Sequence, residues 1–304
     1  WKINRGRVVG SEVVWYIFND MKRYMWIAVA VIPLLLGGFF VWYQPGALEK
    51  DAWEYFSLAQ SIHQGQFALH GQPSMLREPG YPTFLALLGV VSFSSAWILS
   101  VQVLLLALNA LIIGDTIRRL DPRVGWWPGL AAGCAYGLAA MAAQTMLEVF
   151  TAFLLALATW CLSRFLLEQR WRWLVGMGFW LAALILTRST LLLVAPLFIG
   201  AASYATYQKE YSGRRAMMVV LVSAGMVVGL IAPWLVRNQL IFHRLSLTTR
   251  AGGQLYVRAW KAAQPWSSLG DTLVSVVIGR GLQSAWLPGQ TPITNQQWLH
   301  FNGL

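Results

Sequence analysis

The chain alternates between long stretches without charge and short clusters rich in Lys and Arg. Residues 24–43 carry no charged side chain, and further uncharged or nearly uncharged runs cover 79–114, 126–147, 149–163, 173–187, 189–208 and 216–236. At about 1.5 Å per residue, a helix of some twenty residues spans the roughly 30 Å hydrocarbon core of a bilayer. Between the runs lie Lys22/Arg23, Arg118/Arg119/Arg123, Arg164/Arg170/Arg172 and Lys209/Arg214/Arg215. Cytoplasmic loops collect Lys and Arg, so the four clusters share one side and an even number of crossings separates each from the next. That parity predicts an all-α polytopic fold of about seven transmembrane helices: 24–43, about 96–117, the hairpins 126–147/149–163 and 173–187/189–208, and a last crossing 216–236. The rest of the 79–114 run, Tyr81–Val91, is predicted as a helix at the outer surface.

External segments then fall at 44–95, near 145–148, near 187–189 and from 237 to 304. Residues 1–20 are mixed in character and read as a leader of doubtful origin, with Met21 as the natural start and 21–236 as the transmembrane module. A secretory signal would have a short apolar core and a small-x-small cleavage site, which Phe39–Gln44 does not offer, so 24–43 reads as an uncleaved anchor.

Composition agrees. The chain is 57% hydrophobic and 12% charged, against about 25% charged in soluble domains, which excludes water-soluble and disordered classes. Its 17 Trp and 10 Tyr suit the membrane interface. The net charge of +11 would suggest nucleic acid in a soluble protein. Here most of it is accounted for by the cytoplasmic side, so the bilayer, and no nucleic acid, is the implied partner. Cys134 and Cys161 lie inside apolar runs and read as small buried hydrophobes.

Side-sorting isolates a few charges that topology does not explain. Arg77, Arg188, Arg237, Arg244, Arg250, Arg258, Lys261 and Arg280 fall outside, and the first three sit at boundaries of apolar segments. Guanidinium groups at that level suit a phosphate held by paired hydrogen bonds, or equally snorkel to lipid headgroups. Asp51, Glu54 and Glu78 share the first external loop, and Glu148 stands where two apolar runs meet. An ionisable group at membrane depth costs ~3 kcal/mol on insertion scales and marks a functional site by default. The other reading of Glu148 is a carboxylate complementing the dipole of the following helix.

Asp51 and Tyr55 are one helical turn apart with Glu54 beside them, a geometry open to a general base or to a merely solvated first turn. Arg77-Glu78-Pro79-Gly80-Tyr81-Pro82 reads as a rigid turn before the surface helix. His63 and His70 form no tight metal motif. No cofactor is required by the sequence, and a divalent metal stays open.

These segments together resemble the C-type membrane glycosyltransferases that use a polyprenyl-phosphate sugar, such as protein O-mannosyltransferases, lipid A aminoarabinose transferases and the RgtA/B/C/D-like enzymes. The resemblance rests on Asp51-x-x-x-Tyr55-x-x-x-Ala59 with Gly65-x-Phe67, on Arg77–Pro82, on Glu148, on Leu186-Thr187-Arg188 and on Pro233–Asn238 with Gly252-Gly253. It implies that Asp51 is the base activating a lipid, glycan or protein acceptor. Glu148 would be a second catalytic acidic position, and Arg77, Arg188 and Arg237 would contact the donor phosphate. Glu54, Tyr55 and Tyr81 would support them. It also implies transfer on the outer face of a cell membrane, the inner one in a bacterium, and relatives that continue past the point corresponding to Leu304. Ala52 follows Asp51 where many relatives have an adjacent acid, which leaves the role of Glu54 open. Inversion at the sugar is expected from a single base opposite the leaving group. The rival classes are a transporter or lipid-sugar flippase, which would need mid-membrane ionisable groups and repeats, and a non-catalytic scaffold.

Overall fold

The computed structural model describes residues 9–43, 50–89, 95–209 and 213–249. The elements below belong to the first of two compact units, Trp1–Leu247. Arg250, Gly252, Gly253, Arg258, Lys261 and Arg280 lie outside the described residues. Helix α1 covers Val9–Tyr43 and runs through the expected boundary at Met21 without a break. Helix α2, Lys50–His63, leads into a two-stranded antiparallel hairpin, β1 Ala68–Leu69 and β2 Gln72–Pro73. Then follow α3 Gly80–Leu87, α4 Ser95–Leu120, α5 Trp127–Gly133, α6 Tyr136–Ala142 and α7 Glu148–Glu168. Last come α8 Trp171–Thr187, a 3-10 turn Ser189–Leu193 that feeds α9 Val194–Gln208, and α10 Gly213–Phe242.

Among the described residues, five stretches are long and apolar enough to cross a bilayer: Tyr24–Tyr43, Ala96–Leu120, Glu148–Glu168, Ser189–Gln208 and Gly213–Phe242. Helix α8 is equally apolar but has 17 residues, about 25 Å of helix. The protein is therefore an all-α polytopic membrane protein. Two expectations need correction. The stretch 126–147 is not one helix: Pro128 opens α5, Gly133 closes it, and α6 starts after Ala135. Glycine lowers helix propensity, but it lets backbones approach where lipid supplies no hydrophobic drive. A Cβ on Gly129 would lie 2.7 Å from the Ala110 carbonyl oxygen of α4, and one on Gly133 would lie 2.5 Å from Pro33 Cγ of α1. Close packing on α1 and α4 thus replaces helical continuity. The second correction is that α10 continues to Phe242, so Arg237 lies within a helix and does not begin a loop.

The bundle is held by interlocked side chains. Leu154, Phe165, Leu174, Leu181 and Leu184 are buried between α7, α8 and the flanking helices, and Gly178 lets α8 approach Ser223 and Met226 of α10. The charges separate to two ends. At one, Asp115 binds Arg118 and Arg119 and accepts from Trp160, while Glu168 binds Arg164 and accepts from Trp173. The starts of α4 and α7 and the end of α8 lie at the opposite end, and there α2, the hairpin and α3 dock.

Candidate active site

Helix α2 and the turn before α3 meet around Arg77, which is 3% exposed. Its Nε–H donates to Glu54 Oε2 at 2.6 Å, one terminal nitrogen donates to the Tyr55 hydroxyl at 3.1 Å, and the other donates to Asp51 Oδ1 at 2.5 Å. The i, i+3 and i+4 spacing of α2 places all three partners on one face. The guanidinium also lies 4.8 Å from the centre of the Tyr55 ring. Burial works against the charged guanidinium, yet the Tyr55 hydroxyl and the carboxylates of Asp51 and Glu54 outweigh it and hold the Arg77 pKa above its ordinary value. Burial pushes the Tyr55 hydroxyl up to about 12, against the opposing pull of Arg77. Arg77, expected at the donor phosphate, here directs its Nε and both terminal nitrogens to side chains of α2.

Aromatic contacts carry this cluster toward the bundle. The Tyr55 and Tyr81 rings pack edge to face at 5.0 Å, and Tyr81 is buried against Phe84 and Phe150. Burial raises the Tyr81 pKa, and the Gln102 hydrogen bond opposes it. Gln102, fully buried in α4, donates from Nε2 to the Tyr81 hydroxyl at 3.1 Å and to the Met146 carbonyl at 3.3 Å. Sequence reasoning missed Gln102, although an amide inside an otherwise apolar run is a signal of its own.

Glu148 is the first residue of α7, with no side-chain cap on the helix N-terminus. Its Oε1 lies 3.6 Å from an Arg188 terminal nitrogen, and both side chains are part-exposed. Its Oε2 is buried without a hydrogen-bond partner among the described residues. Arg188 occupies the corner between α8 and the Ser189–Leu193 turn. Glu78, one residue after Arg77, reaches that corner and accepts from Ser189 through both its backbone N–H and its hydroxyl.

Arg237 approaches from α10. One of its terminal nitrogens donates to the Ser74 carbonyl at 3.1 Å and to Asn238 Oδ1 at 2.8 Å, and the other donates to the Phe67 carbonyl at 2.9 Å. Its guanidinium stacks on Trp234, Phe67 and Phe242. It therefore clamps the base of the hairpin to α10. The structure thus joins Asp51, Glu54, Tyr55 and Arg77 in one cluster, links Tyr81 to it by ring contact, pairs Glu148 with Arg188, and sets Arg237 on the hairpin. Among the described residues no group of three or more His, Cys, Asp or Glu side chains is arranged to hold a metal ion.

Residues 79–236, just over half of the chain, match the family described as dolichyl-phosphate-mannose-protein mannosyltransferase. The matched segment contains Tyr81, Glu148 and Arg188; the α2 cluster and Arg77 precede it, and Arg237 follows it. No curated protein and no solved structure matches the chain.

Proposed function

Because the chain belongs to the dolichyl-phosphate-mannose-protein mannosyltransferase family, and so is a membrane glycosyltransferase of the C type, we propose that it moves a sugar from a polyprenyl-phosphate donor to a lipid, glycan or protein acceptor. The reaction takes place at the outer face of a cell membrane, in a bacterium the periplasmic face of the inner membrane. One observation carries this reading: Asp51 is fixed by a buried arginine while 38% of its own side chain stays open. A carboxylate held in that way is a pre-oriented general base.

In the proposed reaction Asp51 takes the proton of the acceptor hydroxyl or amine. The acceptor atom then forms a bond to the anomeric carbon as the bond from that carbon to the phosphate oxygen breaks. The phosphate leaves with the electron pair, and Arg188 stabilises the charge it gains. Arg237 supports that side by seating the hairpin on α10. Arg77 acts on Asp51, and Glu148 orients Arg188 or the acceptor. A single base opposite the leaving group inverts the anomeric centre; a retaining path would need a carboxylate within bonding reach of that carbon.

The deciding experiment is transfer from a polyprenyl-phosphate sugar by the protein and by Asp51→Asn in proteoliposomes. The variant is expected to keep donor binding and lose transfer. Near-normal turnover removes Asp51 as base, and a product with the donor's anomeric configuration removes inversion.

A further inference from the structure

We propose that Glu78 is a positioning residue that holds Arg188 at a set distance from Asp51, so that Arg77 and Glu78 act together as a strut between the two sides of the reaction. The inference rests on the reading above of Asp51 as base and Arg188 as the arginine on the leaving-group side.

Glu78 Oε1 accepts from the Ser189 hydroxyl at 2.6 Å and from the Ser189 backbone N–H at 3.1 Å. Hydrogen bonds to a carboxylate are about twice as strong as neutral ones. Here both fall on the residue directly after Arg188. The Arg188 backbone is fixed on its other side too: its N–H donates to the Leu184 carbonyl at 2.8 Å, and its carbonyl accepts from Leu191 at 3.0 Å. One residue back from Glu78, Arg77 grips Asp51 and Glu54. Consecutive Cα atoms are about 3.8 Å apart across a trans peptide, so the grip on the base and the grip on the Arg188 corner are one peptide apart. Two residues further on, a Cβ at Gly80 would meet the Thr187 hydroxyl and stand 2.8 Å from the Leu186 carbonyl oxygen. The turn therefore lies flush on the end of α8, and the strut has no slack. The Arg188 side chain itself stays 43% exposed, available to a ligand while its backbone is pinned.

The test uses the whole protein in proteoliposomes, with kcat and donor KM measured beside hydrogen exchange of the segment 186–193. Glu78→Gln keeps an oxygen that accepts both Ser189 donors; Glu78→Ala does not. Glu78→Ala is expected to loosen 186–193 and to lower kcat about a hundredfold at saturating donor, the scale on which a displacement of about 1 Å acts. Glu78→Gln is expected to stay near wild type in both. Loosened exchange with unchanged kcat makes Glu78 a mere cap of the turn and overturns the proposal, as does a Gln variant as impaired as the Ala one. Where Glu78→Ala does not fold, Ser189→Ala removes one of the two bonds and is expected to lower kcat about tenfold, roughly the value of one net hydrogen bond; an unchanged kcat overturns the proposal. Asp51→Asn assayed alongside separates the two failures. If it is inactive while Glu78→Ala keeps full kcat, the strut alone falls; if it keeps turnover, the reading of the base falls and the strut with it.

Discussion

Arg77 donates to Asp51 Oδ1 at 2.5 Å from a side chain that is 4% exposed, while the Asp51 side chain is 38% exposed. The arginine is thus structure and the aspartate is surface, although both are charged and both sit beside apolar segments. A cation so enclosed orients its neighbour.

Replacing Arg77 separates these effects. Arg77→Ala leaves two neighbouring carboxylates without their shared cation, and breaking a buried pair in this way costs about 3 kcal/mol, the lower end of the usual range because Asp51 is part-open. Arg77→Lys keeps the charge, but a point charge on a flexible stem does not meet three acceptors as the planar fork does. The expected order of thermal stability in detergent is wild type, Lys, Ala. Transfer is expected to drop at least about tenfold already in the Lys variant, because the orientation of Asp51 depends on the fork.

The Tyr55 hydroxyl gives a pH signature. Tyrosine ionises near pH 10 in an unfolded chain, and burial pushes Tyr55 up to about 12 despite Arg77. The folded form therefore keeps a proton that the unfolded form releases. The corresponding stabilisation is complete below about pH 10 and declines between about 10 and 12. Tyr55→Phe is expected to flatten the fall of melting temperature with pH in that window without abolishing it, since burial also raises Tyr81. At neutral pH the same variant should be less stable by about 1 kcal/mol, because one Arg77 N–H loses its acceptor.

The parts of this site that could be read from the sequence are those fixed by local spacing. Asp51, Glu54 and Tyr55 share a face because α2 is a helix, and Pro79 with Gly80 announces the turn that carries Arg77. Charge counting carries no information on helix continuity. It therefore missed the break between Gly133 and Tyr136, which close packing on Pro33 and Ala110 explains, and it ended α10 before Arg237. Contacts between distant segments were out of reach for the same reason: Glu78 meets Ser189 across 111 positions, and no periodicity links the two. The surroundings of Arg77 were out of reach in the same way, because α2 folds over the guanidinium from 22 to 26 positions away.

Arg237 offers a separate test of the hairpin clamp. The Ser74 N–H donates to the Phe67 carbonyl at 3.1 Å, and Arg237 donates to the carbonyls of both residues. Arg237→Leu keeps apolar volume against Trp234 and removes the donors. Amide exchange across 67–74 is expected to accelerate by roughly 5- to 150-fold, corresponding to about 1–3 kcal/mol for carbonyls left without partners. Unchanged exchange would mean that apolar packing, including the edge-to-face contact of Phe67 with Trp234 at 4.8 Å, seats the hairpin without these donors.

The close approach at Gly80 gives a final prediction, in which the backbone rather than a side chain decides the outcome. A methyl group there would stand 2.8 Å from the Leu186 carbonyl carbon and oxygen, as well as against the Thr187 hydroxyl. Thr187 Oγ1 in turn donates to the Ala183 carbonyl at 2.8 Å, so it is not free to rotate away without losing that bond. Gly80→Ala should therefore push the Arg77–Pro82 turn off the end of α8, at about 1–3 kcal/mol, the usual range for overpacking. Transfer should fall with it, because Glu78 loses its reach to Ser189. If the side chain of Thr187 were the obstacle, Thr187→Ala would restore the double variant. The expected result is that it does not, since the Leu186 backbone still stands in the way; melting temperature and turnover of Gly80→Ala and of Gly80→Ala/Thr187→Ala, measured side by side, decide between the two.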